Sequence, residues 1–205
     1  VILDTAERLF AERGIHTVSN RQVGEAAGQG NSAAVGYHFG TKADLVRAIA
    51  RRHTDQLERV RARMVAETAG SADVCDWVTC LVRPFTAHLA SLGSPTWYAR
   101  FCVQVKSDPA LHEVVVDEAS TSTSLRPLLA GLNQCLPEMP TAVYAERSSM
   151  AGHLVTQVCA ERERALAVGD RTLQPSWEAL ATSLIDAIVA LWRAPVTNHG
   201  KGEPR

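Results

Sequence analysis

Aromatic residues make up only 5% of the 205-residue chain, and its apolar stretches are all interrupted within a few residues. No segment therefore offers the roughly 20 consecutive apolar residues that a membrane-crossing helix requires. Apolar–polar alternation, the mark of a half-buried strand, is not sustained anywhere. The five cysteines (Cys75, Cys80, Cys102, Cys135 and Cys159) form no CxxC pair. Their odd number speaks against a disulfide framework, and they read as reduced, mostly buried thiols. Neither GxSxG nor HExxH occurs, and the seven histidines are scattered, so the sets that serve nucleophilic or zinc-dependent hydrolysis are missing. No catalytic residue, metal ligand or cofactor is expected. A basic surplus is lacking too, since the formal net charge is −1.

That charge is unevenly divided. Residues 1–63 carry ten Lys/Arg against seven Asp/Glu, whereas the remainder carries eleven against fifteen. The asymmetry has the sign expected of an N-terminal nucleic-acid module on a weakly acidic body. An apolar fraction of 46% with 21% charged residues suits a soluble globular chain. Its first residues are amphipathic, with Asp4, Glu7 and Arg8 among Ile2, Leu3, Ala6, Leu9 and Phe10. That is not a secretory leader, and a cytoplasmic location is expected.

The recurrent signal is i, i+3, i+4, so the expected fold is all-α. A first helix stops at Gly14. Ser19-x-x-Gln22 is a capping box opening a second, short helix that ends by Gly28. A third runs from about Ser32 to Phe39, closed by Gly40, and Thr41 caps a long fourth helix reaching about residue 67. Further helices are expected over about 73–92, 95–106, 110–136, 141–168 and 175–193. Pro127 and the polar run Ser120 to Ser124 should kink or split the third of these. The organisation is read as a helix-turn-helix domain over 1–53, a larger helical domain over 54–193 and a flexible tail over 194–205.

Three short helices with a glycine-containing turn between the second and third fit a helix-turn-helix. Gly24, Ala26 and Ala27 are small where helix two must cross helix three. Asn31, Ser32, Ala33, Ala34 and Gly36 are small or polar where base edges would be met. The stretches ILDTAERLFAERG, TVSNRQVGEAAG and GYHFGTKADLVRAI over residues 2–49 resemble the DNA-binding domain of the tetracycline-repressor (TetR) family. Tyr37-His38-Phe39 followed by Gly40-Thr41-Lys42 and Leu45 is the most specific part.

The resemblance implies a transcriptional regulator, usually a repressor, bound to double-stranded operator DNA as a homodimer and released by a small, largely apolar effector. By position it implies phosphate contacts from Ser19 and Arg21, with Gln22 also at the DNA, and anchoring of the recognition helix by Tyr37, His38 and Lys42. The segment AGQGNSAAVGYHF is one residue longer than the usual turn, so base-reading positions are assigned to 30–36 as a set. Gly28-Gln29-Gly30-Asn31-Ser32-Ala33 also fits GxGxxA, but a helix precedes it where a dinucleotide site needs a strand.

In the larger domain the last two helices carry wide apolar stripes. Leu154 and Val158, with Trp177, Leu180, Ala181, Leu184, Ile185 and Ile188, are expected to form a two-subunit four-helix bundle. An effector site is expected among Trp77, His88, Trp97, Tyr98, Phe101, His153 and Gln157, which mix aromatic bulk with polar heads. The competing readings are a constitutive DNA-binding regulator, a helical enzyme and a helical adaptor that binds only proteins. Glu161-Arg162-Glu163-Arg164 reads as a solvated face of mixed charge.

Overall fold

The structure, a computed structural model, describes residues 1–28, 34–120 and 122–196, and among these it is built from ten α-helices with no strand. Helix α1 (Ile2–Arg13) buries Ala6, Leu9 and Phe10 and ends at Gly14, whose φ of 89° favours glycine. Helix α2 (Asn20–Ala26) opens on the expected capping box. The Gln22 amide donates to Ser19 Oγ at 3.2 Å, and the Ser19 amide donates to Gln22 Oε1 at 2.8 Å. Helix α3 (Ala34–Phe39) is closed by Gly40 at φ 78°, where a Cβ would stand 3.1 Å from Asp44 Oδ2. Helix α4 (Lys42–Thr68) opens on a second capping box, between Thr41 and Asp44, and runs for 27 residues, about 40 Å.

The body comprises α5 (Val74–Leu92), α6 (Tyr98–Lys106), α7 (Pro109–Ser120), α8 (Leu125–Cys135), α9 (Thr141–Val168) and α10 (Trp177–Arg193). The expected helix over 110–136 is split into α7 and α8, with Ser122 to Ser124 between them. Pro127 falls in the first turn of α8, where its missing N–H leaves no intrahelical bond unmade. The body's outer pairs are α5 with α10 and α6 with α9, while α4 packs on α5 and α7, and α1 packs on α6.

Two charged side chains close helix ends. Helix α6 has no capping side chain of its own. Its first amides, from Ala99 and Arg100, donate to the carboxylate of Glu163 on α9 at 3.1 and 3.0 Å. The Arg100 guanidinium adds a third bond at 3.1 Å. Glu163 is thus not part of a solvated face: it is 1% exposed, and burial pushes its carboxyl pKa up. At the other end of α9, buried Arg147 donates to the carbonyls of Trp192 and Pro195 at 3.1 and 3.3 Å. It thereby meets an orphan acceptor at the negative end of α10 in Trp192 and a second carbonyl just beyond the helix in Pro195.

The wide stripe of α10 is used inside the chain. Leu180, Ala181, Leu184, Ile185 and Ile188 are all buried, and α10 lies against α5. Trp177 is half-buried beneath Arg162, whose guanidinium carbon sits 5.1 Å from the ring centroid. These stripe residues are already covered within one subunit. The faces of α9 and α10 that remain open carry Met150, His153, Gln157, Ser183, Ala187 and Ala190, flanked by half-buried Leu154 and Val158. Of the tail, residues 197–205 lie outside the described residues.

Candidate nucleic-acid interface

Helices α1, α2 and α3 pack around an apolar centre of Leu9, Phe10, Val18, Val23, Val35 and Leu45, and this centre fixes what is turned outward. Helix α3 turns out Gly36, Tyr37 and His38. Tyr37 is 87% exposed, which excludes a core role, and its ring meets His38 edge-on at 5.4 Å. A Cβ built on Gly36 meets nothing within 4 Å, so its backbone is open to close approach from outside. On α2, Ser19, Arg21 and Gln22 are exposed. Ser19 and Gln22 are engaged with each other in the capping box, and Arg21 pairs loosely with Glu25 at 3.5 Å. Asn20 donates to the Gly40 carbonyl at 3.3 Å, tying α2 to the turn between α3 and α4. Asn31, Ser32 and Ala33 lie outside the described residues, and Ala34 opens α3.

Lys42 has an internal partner that its sequence position does not disclose. Its ammonium donates to the Ile15 carbonyl at 2.7 Å, lashing the α1–α2 connection to the start of α4. This answers the unfavourable placement of a cation at a helix N-terminus. Much of the surrounding positive charge is likewise answered locally. Arg8 meets Glu12, Arg52 meets Asp4, Arg61 meets Glu58 and Arg63 meets Glu67.

Four helices line a cavity of about 230 Å³ behind this unit. Its lining is Ala50 from α4; Tyr98, Phe101, Cys102, Val105 and Lys106 from α6; His112, Val115 and Val116 from α7; and Thr156 from α9. Of the residues expected at an effector site, Tyr98 and Phe101 are here. His88 is buried beside it, Trp97 lines a separate crevice with Glu7 and His53, and Trp77 packs against Gly131 on α8. His153 and Gln157 do share a face of α9, but it is the exposed one, bonded to Ser149 and Glu161. Lys106, Cys102, His112 and Thr156 could not be grouped from sequence, because each comes from a different turn or helix with no shared motif.

Between the cavity and the N-terminal helices runs a buried polar chain. Glu7 Oε2 is 2.8 Å from His53 Nε2, and His53 Nδ1 is 2.7 Å from His88 Nε2. Tyr98 stacks on His53 at 3.7 Å between centroids. Burial, and then the neighbouring His53, lower the pKa of His88 to about 4. The N-terminal helices are held at two further points: His16 Nε2 lies 2.7 Å from Asp108 Oδ2, and Trp97 Nε1 donates to Glu12 at 3.2 Å. Glu58 of α4 accepts from Ser122 Oγ and the Ser124 amide, both at 2.7 Å. Burial pushes the thiols of Cys102 and Cys159 up to about 12, so neither is a nucleophile near neutral pH.

A family model described as bacterial regulatory proteins, tetR family, matches residues 2–49. A second, described as tetracyclin repressor-like, C-terminal domain, matches residues 79–190. Among solved structures, the crystal structure of a TetR family transcriptional regulator, PfmR from Thermus thermophilus, is similar with a TM-score of 0.53. That match covers 96% of this chain and 99% of the other at 18% sequence identity, so the likeness is one of fold. No curated protein matches.

Proposed function

Because the chain belongs to the TetR family of bacterial regulatory proteins, which are DNA-binding transcription regulators and not enzymes, we propose that it is an effector-released repressor acting as a homodimer on a palindromic operator. The observation that carries the DNA-binding surface is Tyr37, 87% exposed beside the bare backbone of Gly36 on α3. A large aromatic ring that the fold leaves in solvent is available for a phosphate or base edge. We place the boundary between the two functional units near residue 53, within continuous α4.

The open faces of α9 and α10 support dimerisation there, with Ala187 and Ala190 small enough for close helix approach. The cavity between α4, α6, α7 and α9 supports effector binding. Its walls include α4, which carries the unit's last helix turn, and α6, on which α1 rests. An effector that changes the tilt of either would alter the spacing of two recognition helices, which half-sites one turn apart hold to about 34–36 Å.

Mobility shift on genomic fragments tests the reading. A retained fragment should be lost with Tyr37→Ala while the melting curve is unchanged. Its affinity should fall with salt at a slope near −0.9 for each phosphate engaged. Ala187→Glu should give a folded monomer by light scattering with weakened operator binding, whereas a folded dimer would move the interface elsewhere. If no fragment is retained by the wild-type chain, the operator reading fails.

A further inference from the structure

Lys106 stands in the wall of a cavity that is otherwise almost entirely carbon. Its ammonium donates to the Gly152 carbonyl of α9 at 2.7 Å, which occupies one of its three protons. Among the described residues no carboxylate pairs with it, and the one titratable neighbour acting on it is the Cys102 thiol. That thiol is protonated near neutral pH and supplies no negative charge. Thr156 Oγ1 is committed as a donor to the same Gly152 carbonyl, at 2.8 Å. Lys106 is therefore the one lysine or arginine among the lining residues, with two N–H donors beyond its Gly152 bond that meet no partner among the described residues, and His112 adds a second polar ring to otherwise apolar walls.

A wholly apolar occupant would strip water from the ammonium and return nothing, at a cost that burial of an unpaired charge always carries. An anionic head placed on Lys106 removes that cost and gains a charge-assisted hydrogen bond. A single ammonium and so little polar lining match one carboxylate, not a phosphate with its larger charge and demand for several donors. The volume of about 230 Å³ corresponds to roughly eight waters of liquid and suits a small ligand.

Resting on the reading of this cavity as the effector site, we propose that the effector is a small monocarboxylic acid with an apolar body, its carboxylate held by Lys106 and its body packed against Tyr98, Phe101, Val105 and Val115. The acid enters as its anion and leaves unchanged, so no covalent step is involved.

The test uses the full chain, tryptophan fluorescence and calorimetry, with octanoate, octanamide and 1-octanol as probes. Octanoate should bind about ten- to a hundredfold tighter than either neutral probe. Lys106→Met should abolish the preference by weakening octanoate alone, and Lys106→Arg should retain it. Should Lys106→Met fail to fold, the wild-type ratio of octanoate to 1-octanol decides by itself. Equal binding of all three probes overturns the carboxylate assignment while leaving an apolar effector site in place. Binding of the neutral probes only, with release of operator DNA, has the same meaning. If no probe binds, the acid assignment is overturned, and whether a broad compound screen releases the operator then decides the effector reading separately.

Discussion

The N-terminal helices and the body are filled differently. Around the first turns of α4, Leu9, Phe10, Val18, Val23, Val35, Leu45 and Ile49 close a centre made of carbon alone. The body buries polar groups along with carbon: His53 and His88 beside α4, and Thr86, Thr96, Arg147, Thr156, Arg162 and Glu163 elsewhere. A carbon interior is insensitive to pH and tolerates only one close-packed arrangement. An interior held by hydrogen-bonded charges carries a penalty for any arrangement that breaks a pair, and a proton or an ion can bias it. The first suits a unit that must keep its shape against DNA, and the second suits the effector-responsive body proposed above.

The sharpest test of this contrast is a pair of truncations. Glu163→Ala should cost about 3–5 kcal/mol, because it strands the Ala99 and Arg100 amides and the Arg100 guanidinium. Phe10→Ala, at a site with no exposed surface, should cost a similar 3–5 kcal/mol through lost burial and a cavity. Chemical denaturation measures both. The distinction is that Glu163→Gln should recover part of the first loss, while no polar residue should recover the second. A Glu163→Ala variant as stable as wild type would remove the claim that α9 organises α6.

Acid should separate the two interiors next. Unfolded His88 takes a proton as the pH falls below about 6.5, whereas the folded residue refuses it until about 4. Stability is therefore complete above that window and declines on acidification through it, by about 1.4 kcal/mol per pH unit. Denaturation midpoints between pH 7 and pH 4 should show this slope, and His88→Leu should flatten it. An unchanged slope in that variant would assign the acid response to another group.

Smaller effects test the caps. Thr41→Ala and Ser19→Ala should each cost about 0.5–2 kcal/mol through loss of the amide bond at N3. The smallest stability change is expected at Gly36, where a Cβ meets nothing. Gly36→Ala should leave the fold unchanged or stabilise it by up to about 1 kcal/mol, and yet weaken operator binding. Equal operator affinity would put the DNA away from that face.

The contrast also explains what could be read in advance. The N-terminal helices were legible because their signals are local. Ser19-x-x-Gln22 and Thr41 cap their own helices, Gly14 and Gly40 stop them, and the apolar spacing picks out the face that is buried. The break between α7 and α8 followed from the polar run before Leu125 in the same way. Helix α6 was placed three residues early, since its cap arrives from Glu163 on another helix. The stripe on α10 was visible as a stripe, but periodicity does not say whether a face meets its own α5 or a second subunit. The internal bond of Lys42 is invisible in the sequence because its acceptor, the Ile15 carbonyl, is a backbone group that no side-chain motif records. The cavity was half seen: aromatic content pointed to Tyr98 and Phe101, but nothing local joins them to Lys106 or Thr156.

The attachment of the N-terminal helices to the body has a consequence for how such chains can be recombined. Glu7, Glu12 and His16 each reach a partner beyond residue 50, in His53, Trp97 and Asp108 respectively. A chimera cut within α4, with a foreign reading head on this body, would sever the Trp97 and Asp108 contacts even if α4 itself were seamless. Exchangeable parts would have to include the α6 segment from Trp97 to Asp108 along with the first 50 residues. A substitution at position 12 or 16 would likewise leave Trp97 Nε1 or the Asp108 carboxylate without its partner in the N-terminal helices.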